Sequence, residues 1–133
     1  MSNATPYRVL ITGSRTWTDI RTIGHAIEQA ILDSPRQPLL IINGACPEGA
    51  DQQADRYARW LQGRGCAIDI ERHPANWRPN GVLDRSAGFR RNAEMVNLGA
   101  DLCLAFIRDC SRGATHTADL AEKAGITVRR FTA

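Results

Sequence analysis

Long apolar runs are absent: no stretch of the 133 residues approaches the ~18 consecutive apolar side chains of a membrane-crossing helix. The opening Met1–Arg8 has neither the charged start nor the apolar middle of a secretory signal, so a soluble, cytoplasmic protein without a membrane partner is expected. Cysteines at CxxC spacing are missing too. Cys46, Cys66, Cys103 and Cys110 are scattered, and a chain that is 43% hydrophobic can build a core without disulfide staples. They are expected to be mostly buried thiols. The three histidines stand equally apart, which leaves no support for a metal site, and no resident cofactor is expected.

Lysine is nearly absent. Of 17 basic residues only Lys123 is lysine, and the rest are arginine, whose planar fork suits bidentate capture of phosphate or carboxylate. The net charge of +3 is mild and a GC-rich genome accounts for most such arginines, so the phosphate reading is kept for those in loops. Aromatic residues are only 6% of the chain, thin material for a nucleic-acid stacking surface. Neither GxGxxG nor GxxxxGK[ST] occurs, which excludes the dinucleotide fingerprint and the P-loop.

What is present is a recurring order of strand, glycine loop and helix. Residues 7–12 (YRVLIT) form a short apolar run that ends at Gly13, and Ile20, Ile23, Ile27 and Ile31 then recur at helical spacing behind Thr18 or Asp19 as N-cap. Pro35 and Pro38 stop that helix before the strand at 39–42 (LLII). A second loop, NGACPEGAD at 43–51, leads into a helix with Ala54, Ala58 and Leu61 on one face. A weaker strand at 66–70 precedes the irregular HPANWRPNGVLD, whose prolines and glycine argue against a regular element. A helix at 86–98, a strand at 102–107, a third loop (RDCSRGATHT), a helix at 115–124 and a strand at 126–130 complete the chain. Such alternation predicts an α/β fold: a single-domain, three-layer Rossmann-like domain over 7–133 with a mostly parallel sheet of about five strands, preceded by a flexible segment at 1–6. In such sheets ligands bind outside the carboxyl ends of the strands, where all three glycine loops would lie.

Each loop has a chemistry and an ordinary structural alternative. At Gly13-Ser14-Arg15 the glycine permits a tight turn, and a hydroxyl and a guanidinium reinforce the anion site of the helix start behind it; the alternative is a plain turn with Ser14 as a cap. Gly44, Ala45, Gly49 and Ala50 are small where a ligand can approach, and Asp51 either accepts from ribose or base or caps its helix. Arg91 and Asn92 share a helix face with Gly88 and Met95. Ser111, Gly113, Ala114, Thr115 and Thr117 form a hydroxyl-rich helix start, the strongest phosphate cradle of the three.

The series GSR, NGACPEGAD, HPANW, RRNAEMV, GADLCLAFI and SRGATHTADLAEKAGI resembles the SLOG superfamily, which includes the "lonely guy" cytokinin-activating enzymes and the DNA-processing protein DprA. It is most similar to the YspA-like, YpsA-related branch of bacteria and their phages, over residues 8–130. The resemblance implies a nucleotide-derived ligand at the strand carboxyl ends, with phosphate near Gly113–Thr117, and self-association into a homo-oligomer. In the phosphoribohydrolase members an arginine of an R-[KN]-x-x-M helix and a glutamate after a GGxGT loop assist N-glycosidic cleavage. Arg91 of RNAEM matches the arginine, but the glutamate position falls on Thr117 and the double glycine is reduced to Arg112-Gly113.

Oxocarbenium-like cleavage calls for a carboxylate, which Thr117 cannot supply; Asp51 or Glu48 would have to substitute. Binding or sensing of a nucleotide-derived small molecule is therefore the leading expectation. Phosphoribohydrolase activity through Arg91 and Asp51 is the first alternative. Single-stranded nucleic-acid binding, by Trp77 with Arg72, Arg78 and Arg85, is the second; in the first two readings the Trp77 segment is a lid or a packed turn.

Overall fold

The computed structural model describes residues 5–133, so the expectation for residues 1–4 lies outside it. Strand β1 (Tyr7–Gly13) is followed by helix α1 (Ile20–Asp33), β2 (Leu39–Asn43), α2 (Ala50–Gly63) and β3 (Ile68–Arg72). Then come α3 (Ala87–Asn97), β4 (Leu102–Ile107), α4 (Arg112–Lys123) and β5 (Thr127–Thr132). The five strands form one parallel sheet in the order β3-β2-β1-β4-β5. Successive connections run outward from β1 to β3 and then jump back across it to β4. The carboxyl ends of β1 and β4, where Gly13 pairs with Phe106, are thus the topological switch point at which such sheets open a crevice.

Period-two alternation sorts the strand side chains onto two buried faces. Val9, Ile11, Ile41, Leu104 and Phe106 pack against Ile23 and Ile27 of α1 and Ala54 and Ala58 of α2. Leu10, Ile42 and Cys103 pack against Met95 and Val96 of α3 and Ala121 of α4. Burial at Cys103 pushes its thiol up to about 12, so it behaves as a small apolar core residue. The alanines of α2 and α4 bring both helices close to the sheet, which narrows the space at the strand ends to what the loops leave open.

Helix α1 is capped by Asp19, whose carboxylate accepts from the Thr22 amide at 3.2 Å and its hydroxyl at 2.6 Å; these bonds hold the Asp19 carboxyl below its usual range. The carbonyls of Thr5 and Pro6, in the segment expected to be flexible, accept from Arg36.

Several local expectations are corrected. Helix α4 starts at Arg112 rather than Thr115, because Ser111 occupies the N-cap and its carbonyl takes the Thr115 amide at 3.0 Å. The irregular segment contains one 3-10 turn, Pro79–Gly81, in which Asn80 has φ 56° and Gly81 φ 78°. Only Cys103 is buried: Cys46 is half-buried, while Cys66 follows α2 in a turn and Cys110 follows β4 in a loop, both exposed. Of the tryptophans, Trp17 is sealed in the core, donating to the Asp19 carbonyl at 2.9 Å, whereas Trp60 lies on the outer face of α2.

No helix among the described residues is long and apolar enough to cross a membrane.

Candidate functional site

The first two glycine loops are interlocked by residues without bulk. A Cβ on Gly13 would overlap Ala50 and stand 2.9 Å from the Phe106 carbonyl. Gly49 has φ 79°, and a Cβ there would reach 2.5 Å from the Arg15 Cα. The Ser14 carbonyl accepts from the Ala50 amide at 3.2 Å, and the Ser14 hydroxyl accepts from the Arg108 amide at 2.9 Å. Ser14, Gly49 and Ala50 thus form the frame that joins the ends of β1, β4 and α2.

Beside that frame lies a cluster of one buried carboxylate and a half-buried guanidinium. Asp51, in the first turn of α2, accepts from the Gly44 amide at 3.0 Å and from the Cys46 backbone. Burial pushes its carboxyl up to about 6, against the opposing pull of Arg91, of these two amides and of Arg15. Arg91 donates to the Gly44 carbonyl, to the His73 carbonyl at 3.3 Å and, through Nε, to Asn92 Oδ1 at 2.7 Å. Gly44 has no side chain because the Arg91 guanidinium occupies that space: a Cβ would lie 2.6 Å from Cζ. Ala45 follows with φ 56°, its amide donating to Asn43 Oδ1 at 2.7 Å.

Above the cluster an open cleft encloses about 670 Å³, mouth included. Gly13, Arg15, Cys46 and Asp51 line one side, and Gly88, Phe89, Arg91, Asn92 and Met95 of α3 the other. Ser111, Gly113 and Ala114 close the end of the cleft at the start of α4, where helix amides have no intrahelical acceptor and the helix dipole favours an anion. Trp77 and Arg85 form the rim, with the Arg15 guanidinium 5.6 Å from the Trp77 ring centre. A second open cleft lies beyond Arg15, Trp77 and Arg91 and takes in Gly44, Ala45 and Pro47.

Of the residues singled out in the sequence, Gly13, Arg15, Asp51, Arg91, Asn92, Ser111, Gly113 and Ala114 line the main cleft together. Gly44 and Ala45 line its neighbour. Ser14, Gly49, Ala50, Thr115 and Thr117 line neither cleft, and Thr117 is fully buried with its hydroxyl donating to the Gly113 carbonyl at 2.9 Å. Glu48 is exposed and outside both. Sequence reasoning missed Cys46 and Phe89 as lining residues; the signal for Phe89 was an aromatic side chain directly after Gly88 on the helix face already singled out. Among the described residues no three His, Cys, Asp or Glu side chains are grouped as metal ligands.

The model of the YspA, cpYpsA-related SLOG family matches residues 7–79, which span β1 to β3, the first two glycine loops and Trp77. The chain is also 43% identical over 124 residues to the gene 61 protein of Mycobacterium phage D29, covering 93% of this chain and 95% of that one. No solved structure matches. The chain therefore belongs to the YspA, cpYpsA-related SLOG family.

Proposed function

We propose that the cleft at the switch point binds a nucleotide or nucleotide-derived small molecule, and that the protein acts as a binding or sensing module. The observation that carries this reading is the convergence of Arg15 and Arg91 with the start of α4 on one cleft. Two cations and unpaired helix amides match a phosphate, and Asp51 and Asn92 are placed for hydroxyl or base groups.

A second reading, N-glycosidic cleavage of a nucleoside monophosphate, is favoured by Asp51. A buried carboxyl raised to about 6 beside an arginine can hold or release a proton near neutral pH, as an acid or base in such a cleavage must. Single-stranded nucleic-acid binding has less support, because Arg72 is committed to Asp55 at 2.7 Å.

A thermal-shift screen of nucleoside mono-, di- and cyclic phosphates and ADP-ribose derivatives tests the reading, with chromatography of each stabilising mixture. A ligand recovered intact supports the sensor; free base with ribose phosphate supports cleavage. Arg91→Ala and Gly113→Asp should each abolish the shift without unfolding the chain. Unchanged affinity in both variants removes the cleft from consideration.

A further inference from the structure

Two aromatic side chains reach the main cleft from neighbouring positions in space, and nothing so far gives them work. Trp77 belongs to the segment between β3 and α3, where its carbonyl accepts the Asp84 amide at 2.6 Å and closes a loop. The far edge of its indole rests on Gly88, where a Cβ would stand 3.1 Å from Cη2, so a side chain at position 88 would crowd the ring. Trp77 as a residue is still 38% exposed. Phe89, the next residue on α3, is 46% exposed and meets His116 edge-on, with centroids 5.4 Å apart, which joins α3 to the phosphate end of the cleft.

The Arg15 guanidinium lies over the Trp77 ring, and Arg15 is also a wall of the cleft. A cation over an exposed ring is held weakly, less firmly than by a charge-assisted bond to phosphate. A phosphate in the cleft therefore draws Arg15 off the indole. The face so uncovered is flat, apolar and rich in π electrons, the surface on which a nucleobase stacks.

Resting on the nucleotide reading above, we infer that Trp77 and Phe89 form the nucleobase subsite and that Arg15 couples it to the phosphate subsite by exchanging the Trp77 ring for phosphate. The ligand class is then a base-bearing phosphate, with sugar phosphates lacking a base bound more weakly. Because stacking tolerates any base, the subsite discriminates for the presence of a base more than for its identity.

The test is calorimetric titration of the full chain with AMP and with ribose 5-phosphate, repeated on Trp77→Ala, Trp77→Phe and Phe89→Leu. AMP should bind about tenfold more tightly than ribose 5-phosphate or better. Trp77→Ala should bring that ratio close to one, with ribose 5-phosphate bound somewhat more tightly than by the parent because Arg15 no longer has a ring to leave; Trp77→Phe should restore most of the ratio, and Phe89→Leu should reduce it. AMP, but not ribose 5-phosphate, should quench tryptophan emission in the parent protein. Should Trp77→Ala not fold, the Phe89→Leu ratio and the parent quenching decide. A parent ratio near one, or the same ratio in parent and variants, overturns the subsite while leaving the nucleotide reading intact. Binding of neither probe, nor of any other nucleoside mono-, di- or cyclic phosphate or ADP-ribose derivative, overturns both.

Discussion

Gly44 is gripped at both ends: its amide donates to Asp51 Oδ2 at 3.0 Å, and its carbonyl accepts from the Arg91 guanidinium. One residue thereby ties the start of α2 to the middle of α3 across the carboxyl end of β2, holding a buried carboxylate on one side and a half-buried cation on the other. The grip sets the position of both groups in the cleft and favours the ionised carboxyl, but burial outweighs it and leaves a net cost of ionisation.

That cost gives Asp51→Asn a pH signature. Folding raises the carboxyl from 3.8 to about 6, so between these values the folded chain binds more protons than the unfolded one. Stability therefore falls as pH rises through about 4 to 6 and stays lower above it. Asparagine has no proton to lose. Relative to the parent, Asp51→Asn should gain roughly 2–3 kcal/mol on going from pH 4 to pH 8, whatever its offset at pH 4. Urea denaturation at the two pH values measures the difference, and a pH-independent offset would contradict the burial of an ionisable Asp51.

Gly44→Ala should separate binding from folding. The clash is with the far end of a flexible side chain, so Arg91 can move aside and stability should drop by no more than about 1 kcal/mol. AMP affinity should nevertheless fall to the level of Arg91→Ala, and the double variant should be no worse than either single one. Additive losses in that cycle would show that Gly44 acts apart from Arg91.

Gly13→Ala probes the opposite case. Its Cβ would meet the Ala50 methyl and the Phe106 carbonyl, both fixed directly to packed backbone on α2 and β4 with nowhere to go. A loss of about 2 kcal/mol or more is expected by thermal or denaturant unfolding, within or above the usual range for overpacking. A fully stable Gly13→Ala protein would mean that α2 can slide off the sheet end.

The β-branched and leucine-rich strands and the alanine-spaced helices made the α/β order legible, because buried parallel strands and amphipathic helices impose different periods on the sequence. Loop position was legible for the same reason: every glycine loop follows a strand. The inward or outward sense of loop side chains was not. Ser14 and Thr117 have phosphate-binding chemistry but spend it on the Arg108 amide and the Gly113 carbonyl, partners fixed only by the packed fold. Asp51 looked like an N-cap, yet Gly49 takes that position and leaves the carboxylate facing Gly44. Trp77 and Phe89 are separated in sequence by an irregular loop, and only the folded chain brings them to one cleft, with the indole packed over Gly88.

Thr117→Glu tests whether the carboxylate expected from the family resemblance has an equivalent place here. Position 117 is fully buried in α4, its hydroxyl returned to the helix backbone, and it does not line the cleft. A glutamate there would bury a charge with no cation beside it or else be kept protonated, and either outcome costs several kcal/mol. The variant should melt well below the parent and release no free base from AMP. Thr117→Val, which keeps the shape and drops only a bond to a carbonyl already used by the helix, should change stability by less than about 1 kcal/mol. Release of base by a folded Thr117→Glu protein would mean that α4 can rotate this position into the cleft, and the assignment of the proton-bearing role to Asp51 would then fail.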